Sequence, residues 1–162
     1  MVCDLKKNRI SKNWINKQKR DIYVRQSQVD GYRARSAYKL IEIDEKFKIL
    51  KNGISVIDLG ASPGSWSQYI AKTVKSGRIV SIDLKGMEEI ENIIKIKGDF
   101  TEADSKEMLV KEGRFVSKIF LGSSFNEIVA LGKKIFKEVK VFKPKASRKE
   151  SKESFIICKI LR

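Results

Sequence analysis

The stretch Ile54-Ser-Val-Ile-Asp-Leu-Gly-Ala-Ser-Pro-Gly-Ser-Trp-Ser-Gln68 decides the fold of this chain. Its first part, 54–59, is rich in β-branched residues and predicts a short buried strand. The strand leads into a loop bounded by Gly60 and Gly64, and helical spacing of apolar residues follows over 66–74. Glycine lets the backbone turn sharply and lets a ligand lie against it, because no Cβ stands in the way. The stretch therefore predicts a strand, a ligand-binding loop and a helix.

The residues that follow complete a βαβ unit. A second strand is predicted at 78–83 and a third at 93–96, which implies a parallel sheet with right-handed crossovers. Open α/β sheets bind ligands at the carboxyl ends of their strands. Asp83 lies at such an end, where a carboxylate can accept both hydroxyls of an adenosyl ribose, and Asp99 follows the third strand, near the expected adenine. The predicted cofactor-binding residues are Asp58, Gly60, Gly64, Trp66, Asp83 and Asp99.

Several classes of protein are excluded by what the sequence lacks. A nicotinamide-dependent dehydrogenase needs a G-x-G-x-x-G turn and a P-loop protein needs G-x-x-x-x-G-K-[ST], and neither pattern occurs. The chain has no histidine, so any catalysis must use Lys, Asp or Glu. Cys3 and Cys158 lie at opposite ends of the sequence, which excludes a metal-ligand spacing and a disulfide framework. No metal site is predicted.

The remaining sequence divides into a basic N-terminal arm with a helix, residues 1–35, and one domain, residues 36–162. A chain of 162 residues is long enough for a single domain with a sizeable core. Within it, periodicity predicts helices at 36–47, 103–112 and 125–136, and strands at 113–120, 139–142 and 154–158. The last two strands form a closing pair around a basic loop, 143–152.

Positive charge is concentrated at both ends of the chain. The net charge is +15, of which residues 1–40 and 133–162 carry +8 each, while residues 41–132 carry −1. A neutral body with basic flanks is typical of a protein that binds a polyanion, and aromatic residues among the N-terminal cations favour RNA. Solubility or a lysine-rich proteome is the alternative explanation. The predicted RNA-binding residues are Arg33, Arg35, Lys143, Lys145 and Arg148.

The cofactor loop also resembles that of a known family. Asp58-Leu-Gly-Ala-Ser-Pro-Gly-Ser-Trp-Ser-Gln68 is similar to the loop of the FtsJ/RrmJ family of ribosomal RNA large-subunit 2′-O-methyltransferases, which has Ala and Gly where this chain has Ser62 and Ser65. Tyr32-Arg-Ala-Arg-Ser-Ala-Tyr-Lys-Leu40 resembles the family's upstream Arg-Ser-Arg-Ala-x-x-Lys-Leu segment. The resemblance covers about residues 12–162 and extends to the closing elements at 115–120, 142–148 and 152–155.

This resemblance implies a Rossmann-like α/β fold with a mostly parallel sheet that binds S-adenosylmethionine. It implies transfer of a methyl group to the ribose 2′-oxygen of a uridine in 23S rRNA, presented by the large ribosomal subunit. We therefore expect a cytoplasmic monomer without a membrane segment. The family's catalytic Lys-Asp-Lys-Glu tetrad corresponds here to Lys39, Lys118 and Glu153, with Lys118 as the principal base or orienting group. A ribose hydroxyl is a poor nucleophile, so it must be oriented in line with the methyl group and relieved of its proton.

One part of the family pattern is missing. The family's fourth strand ends in an Asp-Met-Ala-Pro motif that carries the aspartate of the tetrad, but Pro63 and Pro144, the two prolines of this chain, belong to other motifs. The gap falls between residues 99–112 and Gly113, and implies a fold without one internal strand–helix unit. The strand that begins at Arg114 must then pair directly with the first strand or leave a hole in the core.

The missing unit leaves alternatives open. The sequence can omit residues of a longer parent, carry a deletion, or belong to a paralogue that keeps binding and has lost turnover. The alternative function is thus a catalytically impaired RNA- or ribosome-binding protein that retains the methyltransferase scaffold. A relative that acts on small-subunit RNA or on an mRNA cap is a third interpretation.

Overall fold

A computed structural model describes residues 20–99 and 113–162 of the chain. Residues 1–19 of the predicted basic arm, which was given as 1–35 with its helix, and the predicted helix over 103–112 lie outside these ranges. The elements, in chain order, are α1 (Ile22–Val29), α2 (Ala37–Phe47), β1 (Val56–Leu59), α3 (Ser65–Thr73), β2 (Ile79–Asp83), β3 (Ile94–Lys97), β4 (Arg114–Phe120), α4 (Phe125–Ile135), β5 (Phe136–Phe142) and β6 (Glu153–Leu161).

The first half of the domain is a parallel sheet in the order β1-β2-β3. Val56 pairs with Ile79 and Val80 with Ile94, so all three strands end at the same edge. Helix α3 connects β1 to β2 and packs its buried Ile70 in the core. The predicted βαβ unit is confirmed, because alternating local signals over 54–83 are enough to specify a strand, a helix and a parallel return.

The second half is an antiparallel sheet in the order β4-β6-β5. β6 is its central strand, and residues 153–158 are buried on both faces. Phe155 and Ile157 point into the core shared with α2 and α3, whereas Ile156 and Cys158 pack in the cluster beside α4. The predicted closing pair is confirmed, and both strands extend beyond the predicted limits because pairing along β6 continues to Leu161.

The two sheets are separate. Within residues 20–99 and 113–162, β1 pairs with β2 alone and β4 pairs with β6 alone. Apolar side chains near these two edges are exposed: Ile57 is 38% and Leu59 42% exposed on β1, and Phe115 is 40% and Phe120 57% exposed on β4. The strand from Arg114 therefore does not pair with the first strand, so the interruption predicted in the sheet lies between β1 and β4.

Helix α2 holds the two halves together. Its buried Leu40 and Ile43 pack with residues of both halves in one core, together with Ile70, Val74, Ile79, Phe155 and Ile157. The C-terminal end of α2 also receives hydrogen bonds from the second sheet: the Lys159 ammonium group donates to the Phe47 carbonyl at 2.8 Å, and Arg114 donates to the carbonyl of Ile49 at 2.6 Å. The first contact satisfies a carbonyl group of the last helical turn, and the second fixes the segment just after the helix.

No helix in the described part of the chain is both long and apolar enough to cross a membrane.

Candidate functional site

The glycine loop after β1 has backbone conformations that only glycine adopts readily. Gly60 has φ +70° and Gly64 has φ +103°. The Gly60 amide donates to the Ile82 carbonyl at 2.9 Å, which ties the loop to β2. A Cβ at Gly64 would lie 2.8 Å from Nη1 of Arg33 and 3.1 Å from the Met87 sulfur, whereas one at Gly60 would meet nothing within 4 Å. Gly64 is thus required by both conformation and space.

Asp58 lies beneath this loop. Its carboxylate accepts a hydrogen bond of 2.6 Å from the Ser67 hydroxyl, and the Ser67 and Ser81 hydroxyls are 2.9 Å apart. All three side chains are buried, and burial raises the pKa of Asp58 above its ordinary value despite the hydrogen bonds from Ser67. Because these hydrogen bonds join β1, α3 and β2, Asp58 helps to fix the two elements that flank the glycine loop.

Asp83 lies at the carboxyl end of β2, beside the loop. Its carboxylate accepts hydrogen bonds from the Ser62 amide at 2.9 Å and from the Lys85 amide at 2.7 Å. It lines a cavity of about 230 Å³ with Ser81, Lys85, Gly86, Met87, Lys95, Ile96 and Lys97. A carboxylate has further lone pairs after these two bonds, so Asp83 can also accept a ribose hydroxyl. The exposed Asp99 comes two residues after the end of β3.

Trp66 has a different orientation from the other predicted cofactor residues. Its indole Nε1 donates to the Ser36 carbonyl at 2.8 Å, and its ring centroid lies 5.9 Å from that of Phe155. The side chain therefore faces α2 and β6 and attaches the start of α3 to the second half of the domain.

Arg33, predicted to bind RNA, is engaged within the protein. Its guanidinium donates to the carbonyl groups of Pro63 and Glu88 at 3.1 Å and of Glu89 at 2.9 Å. It also forms an ion pair of 3.6 Å with the Glu88 carboxylate. These contacts hold residues 88–89 against the glycine loop.

Two of the three predicted catalytic residues, Lys39 on α2 and Glu153 on β6, form an ion pair, and Lys118 lies on the neighbouring strand β4. Lys39 Nζ lies 2.5 Å from Glu153 Oε1, and the Ser147 hydroxyl donates to the same oxygen at 2.9 Å. Burial raises the pKa of Glu153, but the hydrogen bonds from Lys39 and Ser147 and the charges of Lys39 and Lys118 outweigh burial, so the net shift is downward. Lys118 is exposed on β4, and its ammonium group lies 5.3 Å from the Phe120 ring centroid.

Glu42 is a functional candidate that the sequence interpretation missed. Its carboxylate accepts hydrogen bonds from the backbone amides of Lys145 at 2.5 Å and Ala146 at 2.7 Å, which fixes the basic loop against α2. Its position three residues after Lys39 was a usable signal, because residues at that spacing share a helix face. Within the loop, the Lys143 ammonium group donates to the Ser151 carbonyl at 2.5 Å.

An open depression of about 870 Å³ lies between the start of α1 and the basic loop. Three of the five predicted RNA-binding residues line it, namely Arg35, Lys145 and Arg148. The other lining residues are Arg20, Asp21, Ile22, Tyr23, Ser147, Lys149 and Glu150. Asp21, which the sequence interpretation also missed, forms ion pairs with both Arg35 and Arg148. The depression adjoins the catalytic candidates through Ser147, which hydrogen-bonds to Glu153.

Among the described residues, no group of His, Cys, Asp and Glu side chains is arranged to hold a metal ion.

Comparison with protein families finds a match to the sequence profile of the FtsJ-like methyltransferases. The match has two parts, residues 32–111 and residues 105–161. The change from one part to the other falls where the sequence lacks the expected strand and helix.

Two curated proteins align with nearly the whole of this chain. The chain is 72% identical to the ribosomal RNA large subunit methyltransferase E of Pelagibacter ubique, with 98% of this chain and 100% of that protein aligned. It is 35% identical to the protein of the same name from Delftia acidovorans, with 97% and 98% aligned. The first alignment spans 203 positions, at least 41 more than the 162 residues present here. Those positions of the relative have no counterpart in this chain.

Solved structures share the architecture. A Plasmodium falciparum protein described as a ribosomal RNA methyltransferase has a TM-score of 0.66 and 28% identity, over 80% of this chain and 98% of that chain. A Streptococcus mutans protein described as a methyltransferase, in complex with SAH, has a TM-score of 0.53 and 16% identity, over 75% and 97%. The second likeness concerns the fold alone.

Proposed function

The chain belongs to the FtsJ-like methyltransferase family, and from this premise we propose that it methylates the ribose 2′-oxygen of a nucleotide in large-subunit ribosomal RNA. Its fold is the Rossmann-like methyltransferase fold, and the cofactor of the family is S-adenosylmethionine. We further propose a uridine of 23S rRNA as the target, and a monomer in the cytoplasm as the acting form. Gel filtration and cell fractionation test the last two points.

One observation carries this proposal: the ion pair of Lys39 and Glu153 lies beside a basic depression, and the helix that carries Lys39 is also linked to the helix after the glycine loop. The ion pair of 2.5 Å between Lys39 and Glu153 joins residues 114 positions apart in the sequence. The Ser36 and Ser65 hydroxyls, 2.7 Å apart, link the start of α2 to the start of α3, which follows the glycine loop. The same helix therefore supports both sites.

The residues at the ends of β1 and β2 suit the proposed cofactor. A cavity of about 230 Å³, lined by Asp83, is smaller than a typical ligand pocket of about 300 Å³ or more, and we assign it to the adenosyl end of the cofactor because Asp83 lines it. Asp83 would hold the ribose, and Gly60 and Gly64 would let the remainder lie against the loop. When bound, S-adenosylmethionine supplies an electrophilic methyl group on a sulfonium.

The chain's own residues would orient the nucleophile. Glu153 fixes the Lys39 ammonium group, and Ser147 fixes Glu153. Lys118, on the strand beside Glu153, would orient the 2′-oxygen and receive its proton in the amine form. The basic loop would hold the flanking phosphates, as phosphate contacts position RNA without reading its sequence.

The direct test of catalysis is methyl transfer from labelled S-adenosylmethionine to large ribosomal subunits that lack the modification. We expect Lys118→Ala to reduce the rate about a hundredfold or more, the range for loss of a general base. Lys140→Ala, an exposed lysine on β5, is the matched control and should leave the rate unchanged. An equal rate for the chain and its Lys118→Ala variant would overturn the catalytic assignment.

The positions that this chain lacks favour a second candidate function, RNA binding without methyl transfer. The chain lacks at least 41 positions of a relative with which it shares 72% identity, and its two sheets are separate. A chain that keeps the scaffold without turnover would bind RNA in a salt-sensitive manner and transfer no methyl group. Labelled methyl on RNA excludes this candidate.

A further inference from the structure

Asp21 lies between two cations of the basic depression. Its Oδ2 pairs with Nη1 of Arg35 and lies 3.5 Å from Nε of Arg148, and its side chain is only 10% exposed. Its Oδ1 accepts a hydrogen bond of 3.1 Å from the Tyr23 amide, which makes Asp21 the N-cap of α1. One carboxylate thus connects the start of α1, the segment before α2 and the basic loop.

The two arginines need an anion between them. Burial and the neighbouring charge of Arg148 lower the pKa of Arg35, because both disfavour its charged form. Arg33 differs, because the carboxylate that pairs with it belongs to the exposed Glu88, whereas Arg35 pairs with the mostly buried carboxylate of Asp21. Arg35 and Arg148 therefore form a site for one negative charge, and in this structure the Asp21 carboxylate takes that place.

A phosphodiester has the chemistry to replace that carboxylate. It carries one negative charge on two unsubstituted oxygens, and guanidinium groups bind phosphate and carboxylate oxygens with the same forked geometry. The position also fits an RNA substrate, because Arg35 and Arg148 line the same depression as Ser147, and Ser147 donates to Glu153.

We infer that Arg35 and Arg148 form a subsite for an RNA phosphodiester beside the target nucleotide, which Asp21 occupies until RNA displaces it. The inference rests on the proposed RNA-binding function. Displacement frees Oδ2 of Asp21 from both arginines, and because the carboxylate must move to admit the phosphate, we expect the hydrogen bond from the Tyr23 amide to Oδ1 to weaken. The start of α1 therefore loosens when RNA binds.

Asp21→Asn tests the inference by removing the charge and keeping the helix cap, because Asn and Asp cap helices about equally well. Asp30→Asn is the matched control: it makes the same change in net charge at the other end of α1, where Asp30 accepts from Tyr38 and Gln26. A short fluorescent single-stranded RNA is titrated into each protein at several salt concentrations. We expect Asp21→Asn to bind about fivefold more tightly than Asp30→Asn at low salt.

The salt dependence gives a second readout. When Asp21 is replaced by asparagine, the two arginines bind solvent counterions, so RNA binding releases more of them. The slope of log affinity against log salt should therefore be steeper for Asp21→Asn than for Asp30→Asn. In an Arg148→Ala background the increase in affinity from Asp21→Asn should shrink, and amide exchange at Tyr23 should accelerate when RNA binds the unmodified chain.

The possible results separate failure of the Asp21 displacement from failure of the proposed RNA-binding function. Equal affinities and slopes for Asp21→Asn and Asp30→Asn, with salt-sensitive binding weakened by Arg148→Ala, overturn the displacement and leave the RNA-binding function standing. If the unmodified chain shows no salt-sensitive RNA binding, the proposed function and this inference fall together.

Discussion

The two halves of the domain build their sites in different ways. In the parallel half, adjacent residues of one segment make the cofactor loop, through glycine conformations and backbone hydrogen bonds to β2. In the antiparallel half, the catalytic cluster and the basic depression depend on side chains that are far apart in sequence, such as Lys39 with Glu153 and Arg35 with Arg148. The first site is made mainly by residues adjacent in sequence, and the second by residues that only folding brings together. A substitution in one site should therefore impair that site and leave the other intact.

The largest effect is expected from Gly64→Ala in the parallel half. The added Cβ would lie 2.8 Å from the Arg33 guanidinium in a backbone conformation of φ +103°. We expect about 1 to 3 kcal/mol of strain and a loss of about tenfold or more in S-adenosylhomocysteine affinity, measured by calorimetry.

Gly60→Ala separates conformation from crowding in the same loop. Its φ is +70° and its Cβ would meet nothing within 4 Å, so it carries the conformational cost alone. If Gly60→Ala and Gly64→Ala lower the affinity for S-adenosylhomocysteine equally, the close contact assigned to Gly64 is wrong.

An effect of similar size is expected from Glu153→Gln in the antiparallel half. Loss of the charged partner of Lys39 and Ser147 should lower the free energy of unfolding by about 1 to 3 kcal/mol at neutral pH, as expected when a charge-assisted hydrogen bond is lost. Affinity for S-adenosylhomocysteine should stay unchanged, because the cofactor loop belongs to the other half.

The same substitution should change the pH dependence of stability. The pKa of Glu153 is lowered in the folded chain from an ordinary value of 4.5, so its contribution is present above that value. It is lost as the pH falls through the lower, folded pKa. Urea unfolding across the acid range should show a shallower decline for Glu153→Gln than for Glu138→Gln, an exposed control on β5. If the two variants lose stability identically as the pH falls, Glu153 does not contribute the stability assigned to its pairing with Lys39.

The smallest effect is expected from Glu42→Gln. The glutamine amide has one acceptor oxygen, so one of the Lys145 and Ala146 amides loses its partner, at a cost of about 1 kcal/mol. Hydrogen exchange at these two amides should accelerate. Glu45→Gln, exposed on the same helix, should leave their exchange unchanged.

The difference between the halves also explains what the sequence could predict. Helix α2 was predicted over 36–47 and spans Ala37–Phe47, and β2 was predicted over 78–83 and spans Ile79–Asp83, because periodicity is a local signal. The orientation of the Trp66 side chain, whose indole donates to the Ser36 carbonyl and lies near Phe155, is not a local signal, and the contact of Trp66 with the cofactor stays a prediction.

The periodicity of the sequence does not predict contacts between distant residues. Nothing local indicates that Asp21 pairs with Arg148 or that Glu42 receives amides from the basic loop, because these contacts exist only after α1, α2 and the second sheet have packed. Lys118 and Glu153 were assigned through resemblance to a family, and the structure places them on neighbouring strands. An interruption of the sheet could be predicted because the sequence lacks the family's Asp-Met-Ala-Pro motif and the strand that carries it.

The most direct test of the account is where a labelled methyl group arrives. Large ribosomal subunits that lack the modification are incubated with the chain and labelled S-adenosylmethionine, and the RNA is digested to nucleosides. The account predicts label in a 2′-O-methylated nucleoside of large-subunit RNA, formed about a hundredfold or more slowly by Lys118→Ala. Label on a base, or in small-subunit RNA alone, would contradict it.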